Sequence, residues 1–108
     1  MEQITLDLIP KGQRPSVHVS KGDEGRTVRI NLTDNGTAYT LAGTEDIKLN
    51  ILKPDGTTVT KALTALAGTY VDFVTTADMT DAVGMNYAKL RINDIGTKSF
   101  YFVVEINP

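Results

Sequence analysis

Apolar residues recur at every second position through most of this chain. Val28, Ile30 and Leu32 alternate with Thr27, Arg29, Asn31 and Thr33, and Ile47, Leu49 and Ile51 alternate with Lys48, Asn50 and Leu52. Side chains of an extended strand point alternately to its two faces, so this period gives each segment one apolar and one polar side. The same pattern joins Ile4, Leu6 and Leu8, then Val17 and Val19 with His18 opposite. Near the end, Ala88, Leu90 and Ile92 oppose Tyr87, Lys89 and Arg91, and Phe100, Phe102, Val104 and Ile106 oppose Tyr101, Val103 and Glu105. Thr occurs 15 times, in keeping with the preference of strands for β-branched residues.

Turn chemistry separates these segments. Pro10 and Pro15 bracket a break, and Gly22-Asp23-Glu24-Gly25 is a polar turn. Asp34-Asn35-Gly36-Thr37 holds an Asn-Gly step that tolerates positive φ. Pro54-Asp55-Gly56-Thr57 and Asn93-Asp94-Ile95-Gly96 are further turns. Tyr39 and Leu41 precede Gly43; Val59 and Leu63 lie in a return segment; Tyr70, Val71, Phe73 and Val74 form another strand. One short helix is expected over 77–83, capped by Thr75 or Thr76, with Asp78 in its first turn and Gly84 at its C-cap. The total is seven or eight short strands at spacings of 8–12 residues, the pattern of a two-sheet sandwich or small barrel. A parallel sheet needs long crossovers, and no helical segment supplies them. The expected fold is all-β: an antiparallel, immunoglobulin-like sandwich of two sheets with one short helix, packed by Val, Ile, Leu and Phe because Cys and Trp are absent.

At 108 residues the chain suits one domain spanning 1–108. Folding at this size buries roughly 65% of the extended-chain surface, enough for one modest core. Lys plus Arg number 11 against 13 Asp plus Glu, a formal net charge of −2. That balance disfavours nucleic acid and anionic membranes as partners. No cysteine means no disulfide, thiolate zinc site or thiol nucleophile. The N-terminal residues lack the basic and apolar regions of a secretory signal, and no apolar run approaches the ~20 residues of a membrane helix. A chain made in the cytoplasm is expected. The stop at Asn107-Pro108, just after the most apolar stretch, fits either a small complete protein or a domain cut from a longer chain at its linker, the second being the expectation.

Chemistry-bearing motifs are sparse. His18 is the only imidazole; Ser16, Ser20 or Ser99 could join it in a relay, but none has nucleophile-elbow spacing. His18 falls on the polar face of a strand and is read as a surface residue. Asp23 and Glu24 lack the spaced oxygen ligands of a calcium loop, with Arg26 close by. Asp78 and Asp81 could share a helix face, though acids there usually serve capping. Gly22-x-x-Gly25 lacks the Lys-Ser/Thr of a phosphate loop. Asn31-Leu32-Thr33 and Asn35-Gly36-Thr37 match the glycosylation sequon without a secretory signal to route them. Tyr87, Lys89 and Arg91 share a face, which reads as a mixed solvated surface more readily than as a nucleic-acid platform. The expectation is no enzyme, no metal and no cofactor.

Phe100-Tyr101-Phe102-Val103-Val104 is apolar on both faces, whereas a sandwich buries only one face of each sheet. Two accounts stand. Tyr101 and Val103 are covered by a loop or the N-terminal arm, or they belong to an assembly interface with Tyr87 beside them.

The order of segments resembles a known family. Val17-His18-Val19-Ser20-Lys21-Gly22-Asp23-Glu24-Gly25-Arg26-Thr27-Val28, then Leu32-Thr33-Asp34-Asn35-Gly36-Thr37-Ala38-Tyr39-Thr40-Leu41-Ala42-Gly43, is similar to the N-terminal domain of baseplate upper proteins of siphophages with Gram-positive hosts. Lys53-Pro54-Asp55-Gly56-Thr57, Gly68-Thr69-Tyr70-Val71, the short helix, Gly84 and Ser99-Phe100-Tyr101-Phe102 follow in the family's order. The resemblance runs from Gln3 to Ile106. It implies a β-sandwich that attaches a receptor-binding or adaptor protein to the distal tail hub, without enzymatic activity. It further implies phage tail or baseplate proteins as partners, a homo-oligomer (a trimer) in the full-length protein, and a place at the virion's tail tip after assembly in the bacterial cytoplasm. The competing reading is a stand-alone carbohydrate-binding sandwich of a host-recognition or bacterial surface protein. The absence of Trp and an aromatic content of 6% weigh against it.

Overall fold

The computed structural model describes residues 2–8, 15–93 and 96–105. Among the described residues nine strands form two sheets that stack as a sandwich. In chain order they are β1 (Glu2–Asp7), β2 (Ser16–Ser20), β3 (Thr27–Asp34), β4 (Thr37–Ala38), β5 (Ile47–Leu52), β6 (Thr58–Leu63), β7 (Tyr70–Val74), β8 (Gly84–Ile92) and β9 (Gly96–Glu105). β3 is the spine of the four-stranded sheet, pairing with β1 along one edge and with β7 and β4 along the other. The five-stranded sheet runs β2-β9-β8-β5-β6.

The alternation seen in the sequence is what closes the sandwich. Ile4 and Leu6, Val28, Ile30 and Leu32, and Val71 and Phe73 supply the inner face of the smaller sheet. Val17 and Val19, Ile47, Leu49 and Ile51, Ala88, Leu90 and Ile92, and Phe100, Phe102 and Val104 supply that of the larger. Phe73 and Phe102 meet across the gap with ring centroids 6.2 Å apart, joining the two sheets at the core.

Three expectations are corrected. The sheets are mixed: β1 runs parallel to β3, and β2 parallel to β9. No helical crossover is needed, because the connection from β1 to β3 passes through β2 in the opposite sheet. The described residues form nine strands, since β4 is a two-residue strand folded back from the Asn35-Gly36 turn. The expected helix over 77–83 is a single 3-10 turn, Ala77–Met79. Thr76 is extended and does not cap it; Met79 is drawn into the core, and Gly84 opens β8 at φ +124°. A segment that must anchor Met79 and re-enter a strand within five residues has no room for a second turn. Pro10, Asp94, Ile95, Ile106, Asn107 and Pro108 lie outside the described residues.

Two turns are held by carboxylates. Asp7 accepts hydrogen bonds from the amides of Asn35 (3.0 Å) and Gly36 (2.8 Å) and from the Thr33 hydroxyl (3.0 Å). The end of β1 thus fixes the β3–β4 turn, whose two central residues stand at φ 52° and 85°. Asp55 accepts from the amide (2.9 Å) and hydroxyl of Thr57.

Replacing Phe102 with Ala is expected to cost about 3–5 kcal/mol of unfolding free energy, read from urea denaturation, because it hollows the inter-sheet contact. Gly36→Ala is expected to cost about 1 kcal/mol by the same measurement. Its Cβ would meet nothing within 4 Å, so the loss would be conformational strain alone.

Candidate functional site

The outer face of the five-stranded sheet gathers Tyr101 and Val103, singled out by the two-sided apolar run, and Tyr87, expected beside them. Antiparallel register sets Tyr87 of β8 directly opposite Tyr101 of β9, and Met85 opposite Val103. The next strand sets Leu52 opposite Tyr87. Two rows result: Ser16-Tyr101-Tyr87-Leu52-Thr58, and beside it His18-Val103-Met85. Directly opposed side chains lie about 4.5–5.5 Å apart at Cβ, so these apolar groups form one continuous patch. The Tyr87 and Tyr101 rings meet edge to face, centroids 5.7 Å apart and planes at 64°. Leu52 (44%), Met85 (47%) and Tyr87 (46%) keep nearly half their surface in water; Tyr101 and Val103 are half-buried. β2 borders them in the plane of the sheet, and the Tyr101 amide donates to the Pro15 carbonyl at 2.9 Å.

Leu52 and Met85 extend the patch beyond the residues read from the sequence. The signal for Leu52 was present: it follows Ile51 directly, so one of the two had to face outward. Met85 shares parity with Tyr87. What the sequence could not supply was the register that brings β5, β8 and β9 into line.

The remaining candidates separate. Ser16 Oγ lies 3.2 Å from His18 Nε2, and His18 Nδ1 lies 2.6 Å from a Glu105 carboxylate oxygen. Of the three serines considered, Ser16 alone reaches the imidazole through a hydrogen bond. The order of groups matches a hydrolytic relay, but His18 and Glu105 side chains are more than half exposed. Such a relay also needs amides aimed at a developing oxyanion, and the amide of Tyr101 opposite Ser16 is already given to Pro15. The contact fastens β2 to β9. Asp23 caps a turn by accepting from the Ser20 amide at 3.0 Å and pairs with Arg26 at 3.3 Å. Asp78 and Asp81 do not converge; Asp78 pairs with Lys61 (3.0 Å) and Asp81 with Lys53 (2.9 Å). These two pairs strap the segment between β7 and β8 onto the β5–β6 hairpin. Among the described residues no three or more His, Asp or Glu side chains cluster as metal ligands, and no helix is long and apolar enough to cross a membrane.

Carboxylate titration reflects turn geometry. Glu45 accepts from the amides of Ala42, Gly43 and Thr44, which hold its carboxyl below the ordinary 4.5. The Thr57 hydroxyl and amide lower Asp55 from 3.8, and Thr76 with Lys61 lower Asp78.

No known family pattern matches this chain, and no curated protein matches it. Among solved structures the chain is similar to the N-terminal domain of phage TP901-1 ORF48. The TM-score is 0.78 at 14% identity, covering 96% of this chain and 97% of that one. The fold implied by the resemblance read from the sequence, that of the N-terminal domain of a phage protein, is therefore the fold this chain has.

Depressed carboxylates stabilise the fold fully above their unfolded values and lose that contribution as pH falls through the folded ones. The thermal midpoint is thus expected to decline below about pH 4.5. Glu45→Gln should lower the midpoint at pH 7 and flatten the decline, measured by differential scanning calorimetry across pH 2.5–7.

Proposed function

We propose that this domain is a structural module of a phage tail baseplate that attaches a receptor-binding or adaptor protein to the distal tail hub. The observation that carries the reading is the near-complete overlap with the N-terminal domain of a phage protein, joined to an apolar patch on a sheet face that a solitary sandwich would leave polar. The docking residues are Tyr87, Tyr101 and Val103, with Leu52 and Met85 beside them. Its partners are other tail proteins, and the full-length chain is a homo-oligomer, a trimer, at the virion's tail tip after assembly in the bacterial cytoplasm. Repetition in a symmetric assembly lets each contact be modest while total attachment is strong. As part of this proposal, the two stacked sheets form an immunoglobulin-like sandwich.

The test is co-elution. The protein and each purified tail protein from the same phage are run together by size exclusion with light scattering. One tail protein is expected to form a complex with the wild type. Tyr101→Ser with Val103→Ser should lose at least tenfold in affinity while remaining folded by circular dichroism, with the melting point lowered only modestly because both side chains are half-buried. Full association by the double variant would refute the assignment of the face.

A further inference from the structure

The outer face of the five-stranded sheet changes character halfway along its strands. On β8 the outward residues run Met85, Tyr87, Lys89, Arg91. Register places Asn50 and Ser99 beside Lys89, and Lys48 and Thr97 beside Arg91. An apolar half therefore abuts a basic half, Tyr87 and Arg91 being separated by about 13 Å along the strand. Lys48 is 3.7 Å from Asp46. Lys89 and Arg91 have no ion-pair partner among the described residues, in a chain whose net charge is −2. Of the other described cations, Arg26, Arg29, Lys48, Lys53 and Lys61 are paired locally, Arg29 by a two-point contact with Asp72 at 2.9 and 3.1 Å, whereas Lys21 and Lys98 have no ion pair among the described residues.

A depression of about 310 Å³ lies on the boundary, lined by Leu52, Tyr87, Ala88, Lys89, Ser99 and Phe100. It joins apolar walls to an ammonium and a hydroxyl, the lining suited to a side chain with an aliphatic stem and a carboxylate tip.

We propose that the occupant of this face is an acidic protein surface. It carries aliphatic or aromatic residues over Leu52, Met85, Tyr87 and Val103, a Glu or Asp side chain in the depression against Lys89 and Ser99, and a further carboxylate opposite Arg91. The inference rests on the docking reading above and adds the chemistry of the partner. The Coulomb term steers approach and fixes register; the apolar half supplies most of the retention. Single-stranded nucleic acid is the weaker fit. The Tyr87 and Tyr101 rings stand at 64° to one another, so they offer no pair of parallel platforms for successive bases.

The experiment measures binding to the purified tail proteins of the same phage by surface plasmon resonance at 50, 150 and 500 mM NaCl. It uses the wild type, the charge-reversal variant Lys89→Glu with Arg91→Glu, and Leu52→Ser with Met85→Ser. A labelled 20-nucleotide DNA and RNA serve as separate probes. Both substituted pairs are exposed, so each variant should keep the wild-type melting point. The association rate of the wild type should fall at least tenfold between 50 and 500 mM salt. The charge reversal should slow association about tenfold or more and abolish that salt dependence. Leu52→Ser with Met85→Ser should chiefly speed dissociation. Rescue of the reversed variant by a Glu→Lys change in the partner would support the contact. Salt-independent binding untouched by the reversal but lost in the apolar variant would overturn the acidic partner and leave the docking reading standing. Binding to no tail protein would overturn both. Tight binding of either oligonucleotide, lost on charge reversal, would overturn the acidic partner in favour of nucleic acid.

Discussion

Everything in this molecule depends on the apolar seal between the two sheets. Each sheet alone would expose a greasy face, and neither has a helix to cover it; only the other sheet can. The contact of Phe73 with Phe102 lies in that seal, and Met79 enters it from the segment between β7 and β8. The seal also explains the mixed topology. A chain that passes from β1 to β2 to β3 changes sheet twice, so β1 and β3 become parallel neighbours at no cost in crossover helix.

Once the inner faces are committed to each other, the outer faces are free to differ. The smaller sheet presents Gln3, Asn31 and the Arg29–Asp72 pair, with Arg29 over the Tyr70 ring at 3.8 Å, groups that satisfy one another. The larger sheet presents an apolar band next to Lys89 and Arg91, which have no ion-pair partner among the described residues. Side chains that do not satisfy one another within the domain are those that gain from a neighbour, and this asymmetry is what favours the outer face of the larger sheet for the docking proposed above.

Much of the fold was legible because alternation is a local signal. All the inner residues of β3, β5 and β8 named from the sequence are buried. The short helix expected over 77–83 shrinks to the 3-10 turn Ala77–Met79 because the core draws Met79 inward, a pull that caps and composition do not encode. The parallel pairs are invisible in the sequence because strand direction depends on which sheet each strand joins, and no local residue encodes that. The candidate site was half legible. Tyr87, Tyr101 and Val103 stood out as apolar residues on faces that should be polar, whereas Leu52 and Met85 joined them only through cross-strand register. The Ser16–His18–Glu105 contact spans 87 positions between His18 and Glu105, beyond any spacing rule.

The inner faces make the fold, and the outer face of the five-stranded sheet is the face proposed to make the attachment. Electron cryo-microscopy of an assembled tail tip separates the two outer faces. Density from a neighbouring protein is expected over β5, β8 and β9 at Leu52, Tyr87 and Val103, with the outer face of the four-stranded sheet open to solvent. Density that buried the Arg29–Asp72 face while leaving Tyr87 and Val103 in solvent would contradict it.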